Sequence, residues 1–354
     1  MADKKIINMY FATHNTCNLK CRYCYVPKSD ANNDVSIDER IQYALKSFIN
    51  KAESEQYKIG SFCFHGTEPT LMSPATLAEA TMTVNRHWQN AGINGHTVSM
   101  QTNGIKLDRQ YLTELKRILG SADRLKLSFS IDPPKSVHDK YRNKSYDRVM
   151  SNFKQAITQG FSVAVLTVVT KDTLNRFGEF AEWMDFWLDR SAAAGNPYKI
   201  KIKPATGTFG IYGSDMEQLA ELLEKYNLLN LAQILTPGYC IQAGNECMWF
   251  EFDIYGNCYS CNKAYNENGI FADWYNDSFD EIFRKRKALY LNRMNSIECS
   301  ECEYEFMCNS GCPLDRHYDG SLAGKAHECR LIKKSMKILE NKGMHIVEFY
   351  NSNI

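Results

Sequence analysis

The sequence predicts an α/β fold: a parallel sheet, open or curled into a partial barrel, followed by a small cysteine-rich domain. Three observations carry this expectation. Six strand-like runs alternate with helical patterns over about 200 residues, the signature of parallel strands joined by helical crossovers. The thirteen cysteines form an early and a late group, and the 176 residues from Phe64 to Tyr239 contain none. The chemically distinctive residues directly follow the strand runs, where parallel α/β folds bind their ligands.

In chain order, a strand at Ile6–Ala12 leads into Cys17, Cys21 and Cys24. A helix over Ile37–Ala52 precedes a strand at Ser61–His65, which runs into His65–Pro69. Helix Pro74–Gln89 precedes strand Thr97–Gln101 and the segment Gln101–Gly104. Helix Asp108–Leu119 precedes strand Arg124–Ile131, which ends at Asp132–Pro134. Helix Arg148–Gln159, strand Ser162–Val169, helix Arg176–Leu188 and strand Lys199–Lys203 complete the alternation. Gly207–Gly213 reads as a loop and Pro237-Gly238 as a hinge, so the expected domains are 1–236 and 237–354.

The 354 residues carry a formal charge of only +1, which gives no electrostatic reason to expect nucleic acid or an anionic membrane as partner. The first residues lack the apolar core of a signal peptide, and the longest apolar run, Phe161–Val169, is far too short to span a bilayer. The expected location is therefore cytoplasmic, where thiols stay reduced. Metal sites, reactive thiols or small buried hydrophobes then account for the cysteines better than disulfides do.

Cys17-x3-Cys21-x2-Cys24 puts three thiolates on one loop, enough for three corners of a cubane iron–sulfur cluster. The fourth iron is left open, as catalytic metal sites leave a coordination position for substrate. A zinc site completed by His14, or unrelated loop cysteines, are the competing readings. The spacing, with the aromatic Tyr23 before the third cysteine, resembles the signature of radical S-adenosylmethionine (SAM) enzymes. That resemblance implies a partial (β/α)6 radical SAM barrel whose open iron chelates SAM. One-electron cleavage then gives methionine and a hydrogen-abstracting 5′-deoxyadenosyl radical, with the cofactor carrying the hard chemistry.

The resemblance continues along the chain. Phe64-His65-Gly66-Thr67-Glu68-Pro69-Thr70 is similar to the family's Gly-Gly-Glu-Pro turn, which implies that Gly66, Thr67 and Glu68 meet the methionyl ammonium. Thr67 stands where the family has a second glycine, which questions any backbone angle reserved for glycine there. Ser130 and Asp132 match the strand end that meets the ribose. Arg142, in His138-Asp139-Lys140-Tyr141-Arg142, matches an arginine that grips the cofactor carboxylate in sulfatase-maturing enzymes. Gln101 and Asn103 match positions facing cofactor or substrate. Turn chemistry is the competing account of these residues, and His65 reads as a packed or hydrogen-bonded histidine rather than a ligand.

The C-terminal cysteines resemble a SPASM domain, which carries two auxiliary 4Fe–4S clusters. Gly256 and Cys261 satisfy its glycine-to-cysteine spacing, while Cys247 lies one residue nearer to Gly256 than is usual. Tyr255–Cys261 reads as a hairpin-like turn. The resemblance assigns Cys240, Cys247, Cys261 and Cys312 to one cluster, and Cys299, Cys302, Cys308 and Cys329 to the other. Two zinc sites are the rival reading, and Cys63 and Cys258 read as buried thiols. The cofactor set is then SAM with three 4Fe–4S clusters, reduced by a donor such as flavodoxin or ferredoxin.

Enzymes with this domain mostly modify peptides or proteins. Sulfatase-maturing members place an aspartate base immediately after the cysteine that aligns with Cys261, and here that residue is Asn262, an amide that cannot take the proton. The expectation is a peptide maturase that installs an oxidative cross-link, C–C or similar. A formylglycine-forming sulfatase maturase is the enzyme alternative, and a zinc-binding interaction protein the non-enzyme one. Asp253, Glu251 and Asp315 are the candidate bases. With the first strand so near Met1, no separate peptide-recognition domain is expected ahead of the barrel.

Overall fold

The computed structural model describes residues 5–26, 37–193, 198–232, 235, 249–265, 267–291, 297–312, 314 and 326–344. Its first strands and helices alternate: β1 (Lys5–Ala12), α1 (Ile37–Ser54), β2 (Tyr57–His65), α2 (Pro74–Ala91), β3 (Val98–Thr102), α3 (Arg109–Leu119) and β4 (Leu125–Ser130). Next come α4 (Lys135–Tyr141), α5 (Tyr146–Thr158), β5 (Val163–Val169), α6 (Lys171–Asn175), α7 (Phe177–Ala193), β6 (Lys199–Pro204) and α8 (Ser214–Lys225). The chain continues with β7 (Trp249–Asp253), β8 (Asn257–Tyr259), β9 (Ile270–Asp273), α9 (Phe279–Leu291), α10 (Ile297–Ser300), α11 (Glu305–Cys308) and α12 (Cys329–Asn341).

Local chemistry sets the boundaries. Helix α2 starts where the Ser73 hydroxyl accepts from the Thr76 amide and Pro74 fills the first turn, and it stops at Gly92 in the left-handed region. Helix α3 repeats the scheme with Asp108 as cap and Gly120 as terminator, and it buries Leu112, Leu115 and Leu119 on one face.

The sheet order is β6-β5-β4-β3-β2-β1-β7-β8-β9. The pairings β1–β2, β2–β3, β3–β4 and β1–β7 are parallel, which places the ends of β1 to β4 at one edge. The six expected strands form within a few residues of their predicted positions. Three more continue the sheet: β7 lies beside β1 with Tyr10 opposite Glu251, and β8 and β9 follow antiparallel. The physical reason is β1's second edge, whose open hydrogen-bonding groups need a partner. Phe250 and Phe252 on β7 are fully buried, and Phe48 of α1 packs against Phe252, Trp274 and Phe279.

The contacts resolve two compact units, one of Met1–Ile131, Asp139–Val165 and Met248–Arg286, the other of Asp132–His138, Leu166–Cys247 and Lys287–Ile354. Residues 249–273, which complete the β1 edge, fall in the first of these units. In the second unit α8 packs on α12 with ion pairs Glu217–Arg330, Glu221–Lys334 and Glu224–Lys342. Among the described residues no helix is long and apolar enough to cross a membrane.

Candidate functional site

The loop after β1 is organised around its sulfurs. The Leu19 amide lies 3.4 Å from Cys17 Sγ, and Asn103 Nδ2 lies 3.7 Å from the same sulfur. Arg142, buried, brings Nη1 to 4.0 Å from Cys21 Sγ and sets its guanidinium 5.4 Å from the centre of the Tyr23 ring. The Arg22 amide donates to the Tyr141 carbonyl, tying this loop to the end of α4. Amide and guanidinium donors around partly exposed thiols favour the anionic sulfur that iron requires. The loop therefore fits the cluster that the resemblance implies. His14 serves the loop's packing: Thr13 Oγ1 holds its Nδ1 at 2.7 Å, and burial pulls its pKa down to about 4, so the ring is neutral.

The loop after β2 shows how Thr67 is accommodated. The left-handed backbone falls on Gly66, at φ +97°, where a Cβ would meet the Ala12 side chain at 2.8 Å. Thr67 is outside that region, and its hydroxyl donates to the His14 carbonyl at 2.6 Å. Glu68 is almost completely buried. Its Oε1 accepts from the Thr70 amide and from the Thr70 and Thr102 hydroxyls, and its Oε2 accepts from the Asn103 amide at 2.7 Å. Burial raises its pKa, and these four donors oppose the rise. Glu68 thus joins the ends of β2 and β3 while Oε2 keeps capacity for one more donor.

Asn103 links that joint to the cysteines: its Nδ2 donates to Asn18 Oδ1 at 2.7 Å, and its Oδ1 accepts from the Ile105 amide. Gln101 stands half-buried near the end of β3, and Ser130 is buried at the end of β4. Asp132 is buried, with Oδ1 accepting from the Val168 amide and its own amide meeting His138 Nδ1.

The candidate bases separate clearly. Both oxygens of Asp253 each accept two hydrogen bonds, from the Tyr255 and Asn257 amides, the Asn257 side chain and the Tyr259 hydroxyl. That fills the carboxylate's acceptor sites and makes it the clamp of the β7–β8 turn. At the turn's tip, Gly256 has φ +103° and a Cβ there would strike Tyr275 and Asp273. Asp315 lies outside the described residues. Glu251 is fully buried on β7; its Oε1 is 3.3 Å from His65 Nδ1, while its Oε2 has no hydrogen-bond partner among the described residues. His65 Nε2 lies 3.5 Å from Asn262 Nδ2, and Asn262 Oδ1 is 3.0 Å from Cys261 Sγ. The sequence reading missed this pairing of His65 with Glu251, two residues 186 positions apart. Its one sequence signal is a glutamate in the apolar strand Trp249–Asp253.

In the second unit Cys299, Cys302, Cys308 and Cys329 line one cavity with Glu305, Ser310 and Lys333. Burial, then the negative charge of Cys329, Cys299 and Cys302, pushes the Cys308 thiol up to about 11. Four crowded thiols of this kind fit a site that iron would neutralise. Cys312 is not among the lining residues. Cys240 and Cys247 lie outside the described residues, so the set they would form with Cys261 and Cys312 is not brought together here. Cys63 and Cys258 are buried, and burial drives the Cys258 thiol well up, as for inert packed thiols.

Comparison with known proteins adds independent findings. The chain is 24% identical over 330 residues to a cysteine-type anaerobic sulfatase-maturating enzyme of Clostridium novyi (strain NT), covering 84% of this chain and 85% of the relative. Its fold is similar to native anSMEcpe with bound AdoMet and Cp18Cys peptide, with TM-score 0.73, 16% identity and coverage of 98% and 99%. It is also similar to Streptococcus suis SuiB bound to precursor peptide SuiA, with TM-score 0.61, 13% identity and coverage of 92% and 75%. Residues 12–184, from the end of β1 into α7, match the Radical SAM superfamily model, so the chain carries a radical SAM domain.

Proposed function

We propose that this enzyme is a peptide maturase that removes hydrogen from a side chain of a ribosomally made peptide and installs an oxidative cross-link, C–C or similar. SAM on its 4Fe–4S cluster supplies the hydrogen-abstracting 5′-deoxyadenosyl radical. The chain's residues bind and orient. Cys17, Cys21 and Cys24 hold the cluster. Gly66, Thr67 and Glu68 take the methionyl ammonium, for which Glu68 Oε2 retains acceptor capacity. Arg142 takes the carboxylate from its place against Tyr23, Ser130 and Asp132 take the ribose, and Gln101 and Asn103 line the approach. Cys240, Cys247, Cys261 and Cys312, and Cys299, Cys302, Cys308 and Cys329, would hold two auxiliary clusters, which would supply an acceptor for the electron that the peptide gives up. A flavodoxin or ferredoxin reduces the enzyme.

The observation that carries the cross-link reading is Asn262. Its amide occupies the place after Cys261 where formylglycine formation uses a carboxylate, and its Oδ1 is turned toward the Cys261 sulfur. The relatives named as sulfatase-maturating enzymes favour the second reading, formylglycine formation. The test is anaerobic incubation with SAM and either a serine- or cysteine-containing sulfatase peptide or the peptide encoded beside the gene. A cross-link gives loss of two hydrogens with no reaction toward an aldehyde reagent. An aldehyde on the sulfatase peptide would decide for formylglycine.

A further inference from the structure

Glu251 is fully buried, and one of its oxygens meets no donor among the described residues. Its other oxygen lies 3.3 Å from His65 Nδ1, and the His65 ring rests 5.0 Å from the centre of the Tyr10 ring. A buried carboxylate costs free energy unless a donor or cation answers it. A Nδ1–H tautomer of His65 supplies the donor, which leaves Nε2 as a lone-pair acceptor facing the Asn262 amide at 3.5 Å. This is the histidine–carboxylate logic of general-base pairs, in which the carboxylate fixes the tautomer and stabilises the imidazolium that forms. His65 is the last residue of β2 and is followed directly by Gly66 and Thr67. Asp253 is excluded from the same task because its oxygens are filled by the turn.

We propose that His65, oriented by Glu251, takes the proton that the peptide releases during its oxidation. The proposal rests on the maturase reading above. The peptide first loses a hydrogen atom to the 5′-deoxyadenosyl radical. The carbon radical then adds to a π bond of the acceptor side chain, forming the cross-link bond from the radical electron and one π electron and leaving the other π electron as an adduct radical. That adduct loses a proton to His65 Nε2. Of the two electrons in the broken bond to hydrogen, one pairs with the radical electron to restore the π bond, and the other would pass to an oxidised 4Fe–4S cluster, reducing it by one electron. The proton on His65 is balanced by Glu251 and leaves to solvent after turnover.

The test uses the iron-loaded enzyme, SAM, and two peptides: a cysteine-containing sulfatase peptide and the peptide encoded beside the gene. His65→Gln keeps a polar side chain of similar reach but takes no proton. Modified peptide should fall about 100-fold, the scale of a lost general base. The ratio of 5′-deoxyadenosine to modified peptide should rise at least about tenfold, and an organic radical should accumulate in freeze-quenched EPR spectra. Iron per chain, measured in parallel, should match wild type. Adding Asn262→Asp to His65→Gln places a carboxylate beside the lost Nε2 and should restore product at least about tenfold, which a purely structural histidine would not allow. Wild-type product yield and ratio in His65→Gln would overturn the assignment. If that variant loses iron, Glu251→Gln is the second probe, and an unchanged ratio there would overturn it equally. A wild-type enzyme that modifies neither peptide sinks the maturase reading and this inference with it.

Discussion

Glu68 and His14 illustrate two ways in which burial acts at the cofactor edge. Glu68 keeps its place through four donors, so Glu68→Ala leaves those donors facing one another and should cost about 3 kcal/mol along with SAM affinity. Anaerobic thermal unfolding and SAM titration check this. For His14 the sign follows from its lowered pKa of about 4 against an ordinary 6.5. The unfolded chain binds the proton first, so stability is highest above pH 6.5 and is lost as pH falls toward about 4, by up to about 3 kcal/mol. His14→Gln should flatten that part of the stability profile. A profile that His14→Gln leaves unaltered would contradict the assignment.

At the scale of elements, the β7–β8 turn joins fold and site. Asp253 clamps it with four hydrogen bonds, and Glu251 on the same strand faces His65. Asp253→Ala should destabilise the protein by about 3 kcal/mol, whereas Asp253→Asn, which keeps one acceptor oxygen, should retain product formation. Melting curves and peptide yield separate the two; loss of product in a well-folded Asp253→Asn enzyme would return Asp253 to the list of bases. The same strand shows what the sequence left hidden. The first six strands were legible because period-2 apolar runs and flanking turn residues are local signals, and the cysteine loop because its spacing is local too. That β7 lies beside β1 depends on an unpaired edge more than 200 positions away, and His65–Glu251 exists only once that edge is filled. Thr67 is the converse case. The motif suggested a strained backbone there, but the left-handed angle sits on Gly66 and Thr67 instead ties two loops together.

For the molecule as a whole, the thirteen cysteines divide into three on the β1 loop, eight proposed for two auxiliary clusters, and two packed thiols. Anaerobic reconstitution should give about 12 irons per chain. Changing Cys17, Cys21 and Cys24 to Ala should remove about 4 of them and abolish 5′-deoxyadenosine formation, while changing Cys299, Cys302, Cys308 and Cys329 should remove about 4 and leave the β1-loop site loaded. Iron analysis and Mössbauer spectroscopy check both counts. The most direct measurement of the central claim is mass spectrometry of the peptide encoded beside the gene after anaerobic incubation with enzyme, SAM and reductant. The expected result is loss of two hydrogens per cross-link, one 5′-deoxyadenosine for each, and no aldehyde. An unmodified peptide, or formylglycine on the sulfatase peptide instead, would contradict it.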